Sequence, residues 1–211
     1  MTTLRDLVRT GDRIHRVEGA LSGTLGFVLG RLHEGASTVD AVREAQARGY
    51  TEPFPGEDLS GQDAGRKALI LARAMGLTLE PTQVQVTPLV PAGLLRPQPL
   101  DRFFAGLASH GPTLEARVQS LVKEGRRLSY LAIVDAGLDH HASPSLRVGP
   151  VEIHGEHPAA GLNGSEALIS LQTDRYHETP LIVRGPGAGN DVTAAGVLAD
   201  ILRIAASWKG G

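Results

Sequence analysis

Glu52, Glu57, Asp58, Asp63 and Lys67 fall within one short stretch, GYTEPFPGEDLSGQDAGRK, spanning 49–67. Carboxylates at that density can hold an ammonium group, and a lysine among them can carry a proton to or from a reacting oxygen. Asp63 and Lys67 are four residues apart, which on a helix puts them on one face within reach of each other. The chemistry so encoded is capture of a small, polar, cationic substrate beside a proton carrier. The same residues have a plainer reading. Acidic loops often precede helices as solvated N-termini, and an exposed i,i+4 pair contributes only about 0.3–0.5 kcal/mol.

These side chains need a frame. Pro53 and Pro55 keep the stretch extended or turning. Ser60 reads as an N-cap with Asp63 three residues on, close to a capping box. That predicts a helix from about Gly61 to Met75, closed by Gly76, with Ala68, Leu69, Leu71, Ala72 and Met75 facing a core. Upstream, Leu4 to Val8 reads as a helical turn and Arg13 to Val17 as a strand. Ser22 caps a helix through Leu25, Val28, Leu29 and Leu32 that ends at Gly35, and its Gly23–Thr24 entry offers free N–H groups and a hydroxyl. Ser37 and Asp40 open a helix from Val39 to Arg48.

Downstream, Gln83 to Leu89 reads as a strand, and Pro88, Pro91, Pro97 and Pro99 mark a crossing loop. Asp101 to Leu107 and Thr113 to Val122 read as two helices, the second closed by Gly125. Strands are expected at Leu128 to Val134, Leu146 to Ile153, Ala167 to Thr173 and Leu181 to Val183, and a last helix at Asp191 to Ala206. Helices gather in the first half and strands in the second, without βαβ alternation. The expected class is α+β, one domain over 1–211, with an antiparallel or mixed sheet covered by helices on one face.

Composition excludes several functions. Hydrophobic residues make up 41% and charged residues 21%, and the formal net charge is -2, which leaves no basic footprint for nucleic acid. With no cysteine, thiolate and disulfide chemistry are out and a reducing compartment fits. The first twenty residues hold no apolar signal region, and no run is long and apolar enough to span a bilayer. The expectation is a cytoplasmic protein.

Four blocks then fix a family likeness. GALSGTLGFVLGRLHEG (19–35), AVREAQARGYTEP (41–53), DLSGQDAGRKALILARAMG (58–76) and RGPGAGNDVTAAGVLADILRIA (184–205) closely resemble homoserine dehydrogenase, in that family's order and spacing. The C-terminal wording looks most like the dehydrogenase end of bifunctional aspartokinase–homoserine dehydrogenases. The resemblance implies NAD(P)-dependent interconversion of L-aspartate 4-semialdehyde and L-homoserine. It places the substrate-facing Glu on Glu52, its neighbouring Tyr on Tyr50, the buried acid on Asp58, and the acid–lysine pair on Asp63 and Lys67. Lys67 would handle the proton and Asp63 would orient it, while Gly23 and Thr24 would help hold the amino acid. Removal of Lys67 from water would suit that role. The resemblance also implies a homodimer formed through the sheet. The family usually reads TEPDPRDDL where this chain reads TEPFPGEDL, and Gly65 stands where Ala is usual. These departures put the loop's structure in question more than its chemistry.

Two further patterns need weighing. Leu181–Arg184 followed by GPGAGN looks like half of a dinucleotide fingerprint, but a single following helix leaves no room for a βαβ unit. By resemblance, Gly187, Ala188 and Gly189 lie near the nicotinamide, and the helix at about 191–206 packs on a nucleotide-binding domain. No GxGxxG precedes the motifs. The chain therefore resembles an excised substrate domain, a truncated product or part of a split enzyme, with the nucleotide domain supplied in cis or in trans and no activity expected of the chain alone. The competing class is a non-catalytic amino-acid-binding or dimerisation module. His140, His141, His154 and His157, with Asp139 and Glu156, could suggest a divalent ion, but no HExxH or cysteine partner accompanies them, and no metal is expected.

Overall fold

The computed structural model describes residues 2–137, 143–164, 166–187 and 189–208. Its organising strand is β1 (Ile14–Ala20). A register shift between Ile14 and Arg16 turns Ile14 onto the same face as Val17, and both are buried. β1 lies between β3 (Arg126–Asp135) and β5 (Glu166–Thr173), antiparallel to both. β4 (Ser145–His154) pairs antiparallel with β3, and β6 (Leu181–Pro186) with β5. β2 (Val84–Val86) joins β4 in parallel. The sheet order is β2-β4-β3-β1-β5-β6, so the sheet is mixed. Only three residues of the longer Gln83–Leu89 run form a strand. Pro88 ends it, because proline cannot donate to the ladder.

One face of the sheet carries the main core. Val17, Leu128, Tyr130, Ala132, Val134, Leu146, Val148 and Leu171 meet the apolar sides of the helices there. α1 (Thr2–Arg9) contributes Leu4 and Leu7. α2 (Gly23–His33) contributes Leu25, Phe27, Val28, Leu29 and Leu32, and α3 (Thr38–Ala47) contributes Ala41, Val42 and Ala45. Ser22 and Ser37 cap α2 and α3 as read from sequence, accepting from Leu25 N–H at 3.3 Å and Asp40 N–H at 3.0 Å. The opposite face is covered only in part, by a 3₁₀ turn at Pro158–Gly161 that seats Ala159 against Leu131, Ile133, Ile153 and Leu168.

Three expectations need correction. Asp101 to Leu107 and Thr113 to Val122 are one helix, α6 (Leu100–Lys123), with Pro112 inside it. Phe103, Phe104, Leu107, Gly111, Val118 and Leu121 form one buried stripe through the proline. That shared burial outweighs one lost backbone bond, about 3 kcal/mol. Ser60 does not cap the acidic helix: a four-residue helical turn, α4 (Gly56–Leu59), comes first, Ser60 ends it, and α5 (Gln62–Ala74) begins after Gly61. The break is Gly61, which is left-handed at φ +70. Ser60 still accepts from Gln62 N–H at 3.2 Å, but Asp63 takes no part in a capping box. The last helix, α7 (Asn190–Trp208), runs slightly longer than read.

Of the histidines weighed for a divalent ion, His157 is engaged within the fold. His157 Nε2 meets Glu18 Oε2 at 2.9 Å and its Nδ1 accepts from Ala159 N–H, which makes it a turn cap. Asp139, His140 and His141 lie outside the described residues.

Candidate active site

A cleft of about 470 Å³ opens where five segments converge: the entry to α2, the end of α3, the acidic loop, the start of α5 and the β6–α7 turn. Gly23, Thr24, Tyr50, Glu52, Asp58, Asp63, Lys67, Gly187 and Gly189 all line it. Ala188 lies outside the described residues. Ser22, of the turn at the entry to α2, also lines the cleft, as do Arg48 and Asn190, which the sequence reading missed. The position of Asn190 after the glycine run could have marked it, and nothing in the sequence marks Arg48.

Asp63 and Lys67 form the expected pair on α5, with Lys67 Nζ at 2.9 Å from Asp63 Oδ2. Lys67 also donates to the Leu21 carbonyl at 3.3 Å, which ties α5 to the entry of α2. An ammonium has three donors, so one proton is left to face the cleft. Burial pushes the Asp63 carboxyl up, but the Lys67 hydrogen bond and charge, with Arg66 behind, outweigh it and hold Asp63 below the usual carboxylate range. The Lys67 side chain is 51% exposed, so the dry lysine suited to proton transfer is not found in this chain alone. None of the described residues roofs the cleft over it.

Asp58 is half-buried at the floor. Oδ2 accepts from Glu52 N–H at 2.9 Å, which folds the acidic loop back on itself. Oδ1 lies 3.2 Å from the Thr24 hydroxyl. Burial raises the Asp58 carboxyl above its ordinary value; the Glu52 amide and Thr24 hydroxyl pull against this and the Glu52 charge adds to it. Thr24 itself is buried, and its hydroxyl also donates to the Tyr50 carbonyl. These bonds tie the site together from within. Thr24 joins α2, the end of α3 and the acidic loop, and presents no free hydroxyl. Tyr50 stands at the rim with its ring edge-to-face on Phe27, centroids 5.2 Å apart.

Two glycines make the geometry possible. A Cβ at Gly61 would stand 1.8 Å from the Tyr130 hydroxyl, which donates to the Thr87 carbonyl at 2.8 Å. Burial pushes that phenol up to about 12. At Gly65 a Cβ would meet Val86 Cγ2 at 3.0 Å, so the glycine lets β2 lie close against α5. The helix-propensity cost of about 1 kcal/mol is set against that approach.

The far wall differs. Gly187, Gly189 and Asn190 carry the chain from β6 into α7, whose first turn points into the cleft. Along α7 no residue is buried, and Leu202 and Trp208 are 60% and 81% exposed.

The family model for homoserine dehydrogenase matches residues 1–202. The chain belongs to the homoserine dehydrogenase family. It is 42% identical to the chloroplastic bifunctional aspartokinase/homoserine dehydrogenase 2 of Zea mays, over 97% of this chain and 22% of that one. Among solved structures it is similar to a Candida auris protein described as of unknown function, at TM-score 0.87 and 38% identity, covering 97% of this chain and 57% of that one. A putative homoserine dehydrogenase from Archaeoglobus fulgidus matches at TM-score 0.73 and 26% identity, over 96% of this chain and 54% of that one. The chain thus spans about half the length of these solved relatives and a smaller part of the bifunctional one, and its α+β fold is the family's.

Proposed function

We propose that this chain is the substrate-binding and catalytic part of a homoserine dehydrogenase, interconverting L-aspartate 4-semialdehyde and L-homoserine. The observation that carries it is the Asp63–Lys67 pair at 2.9 Å, facing Glu52 and Asp58 across one cleft. Both substrates carry an α-ammonium, which Glu52 and Asp58 are placed to hold. When the aldehyde is reduced, its oxygen gains negative charge, and Lys67 Nζ donates the proton that makes the alcohol. In the reverse direction Lys67 accepts it. Asp63 keeps the ammonium aimed and stabilises its charged form.

Hydride would be supplied by a bound nicotinamide, NAD or NADP. The residues present fit its ring end: a glycine-lined wall, with nothing within 4 Å of a Cβ built at Gly189, lets a flat ring approach. Gly187, Gly189 and Asn190 would border it. The chain carries no GxGxxG, so the phosphates would rest on a nucleotide-binding domain in cis or in trans. That domain would also cover α7 and exclude water from Lys67. The open face of the sheet suits pairing with a second copy, and we expect a homodimer in the cytoplasm. A monomer by light scattering at micromolar concentration would refute the pairing.

The test is complementation. The chain alone should neither turn over homoserine nor bind NAD(P) tightly by calorimetry. Mixed with or fused to a family nucleotide-binding domain, it should oxidise NADPH only when aspartate semialdehyde is added. Amino-acid binding without turnover in the combined protein would instead favour a non-catalytic module.

A further inference from the structure

Phe54 and Gly56 lie two residues apart in the acidic loop, and the structure joins these two positions. Phe54 sits between Glu52 and Asp58, and its ring packs edge-to-face on Phe103 at 5.2 Å. Phe103 is fully buried and lies 5.3 Å from Phe104, which in turn has the Arg43 guanidinium 4.9 Å above its ring. The Cε1–Cζ edge of the Phe54 ring lies against Gly56. A Cβ there would stand 2.5 Å and 2.7 Å from Phe54 Cε1 and Cζ, and 2.9 Å from the Leu94 carbonyl. Only glycine leaves room for the ring at that seat. The Phe54 carbonyl accepts from Glu57 N–H at 3.1 Å and starts α4, while Asp58 accepts from Glu52 N–H at the loop's opposite side. The loop is therefore clamped twice: by a ring in the core and by a carboxylate at the cleft.

We propose that Phe54 is a positioning residue, seated against Gly56 and docked on Phe103, which fixes the turn that presents Glu52 and Asp58 to the substrate ammonium. Phe54 and Gly56 act as one unit. This rests on the reading that the cleft takes an amino acid. A mobile loop would have to be ordered at each binding event, and the docked ring removes that cost beforehand. Because the ammonium is held alike before and during reaction, loosening the loop weakens binding without slowing the chemical step.

Two measurements test it. In the first, amide hydrogen exchange is followed on this chain with no cofactor. Phe54→Ala should speed exchange at the Glu52 and Glu57 amides about tenfold or more, while the amides of β1 and β3 keep their protection. Unchanged loop exchange, or an equal rise everywhere, would overturn the proposal, since either makes Phe54 an ordinary core residue. The second is kinetic, in the protein with its nucleotide-binding domain. Phe54→Ala should raise KM for the amino-acid substrate about tenfold with kcat within about twofold, and Phe54→Leu, which refills the core site, should recover most of it. Gly56→Ala should raise KM likewise by displacing the ring, and combining it with Phe54→Ala should add less than the product of the two. An unchanged KM in Phe54→Ala, or fully multiplicative effects, would overturn it. If the unaltered protein shows no homoserine-dependent turnover, the functional reading fails, while hydrogen exchange still decides whether the loop is clamped.

Discussion

The two walls of the cleft are built to opposite standards. The α5 wall is anchored on every side: Gly61 against Tyr130, Gly65 against Val86, Lys67 onto the Leu21 carbonyl, and Asp58 onto the Glu52 amide. The α7 wall has no buried residue along its helix, and Val197, Leu198, Ile201 and Leu202 are all more than half exposed. A helix this apolar gains little stability from water on all sides. The difference teaches that one wall of the cleft is held by packing within this chain, whereas the other leaves an apolar helix uncovered, the kind of surface that suits a partner.

Breaking the anchored wall should have the largest effect. In the cofactor-competent protein, Lys67→Ala should lower kcat and kcat/KM together by roughly 10²–10⁴-fold with the fold intact by circular dichroism. Near-normal turnover would make the pair a surface ornament and erase the contrast. Glu52→Ala should act chiefly on KM.

Gly61→Ala comes next, because it strikes the seam between α4 and α5. Its Cβ collides with the Tyr130 hydroxyl and its φ of +70 disfavours any side chain. A loss of about 3 kcal/mol is expected in denaturant titration. A loss under about 1 kcal/mol would mean that the seam yields easily.

A smaller effect should come from His33 at the end of α2. Its Nε2 accepts from Leu128 N–H at 3.1 Å, and burial, with the Arg127 charge, lowers the imidazole from 6.5 to about 4. The fold binds the neutral ring, so the stability it adds is complete above pH 6.5 and is lost as pH falls from there toward 4. Discounted for the solvent the ring still meets, that loss is on the order of 1–2 kcal/mol. His33→Gln should flatten the stability profile in that window. An identical profile would show that the ring is not the titrating group.

The smallest effect sharpens the contrast from the other side. Leu198→Glu with Ile201→Glu should change the stability of this chain by less than about 0.5 kcal/mol, since neither side chain is buried. The same double change should weaken capture of a nucleotide-binding domain in a pull-down. A large destabilisation would mean that α7 already packs on this chain.

Local chemistry was the most legible part of the sequence. Ser22 and Ser37 announced their caps, and Gly35, Gly49 and Gly76 announced three helix ends, all with positive φ. The cleft's acids and lysine were legible because spacing on one helix and one loop suffices to gather them. What was not legible depends on distant partners. The continuity of α6 through Pro112 comes from the core stripe it covers, and the left-handed Gly61 follows from a tyrosine that arrives on β3. Thr24 is one such case, since the entry of α2 marks its hydroxyl without showing what holds it. Its hydrogen-bond partners within the chain, Tyr50 and Asp58, come from other elements.

The position of β1 governs the order in which this molecule can be assembled. Val17 is matched with Val134 on one side and Leu171 on the other. The middle of the sheet therefore waits on residues made more than a hundred positions later, and during synthesis the early helices emerge before the surface they rest on exists. A chain stopped between β3 and β5 would leave β1 with one bare edge, able to pair with the same edge of another such chain. Folding of this protein is thus a late event, and truncated products short of β5 are the ones expected to aggregate.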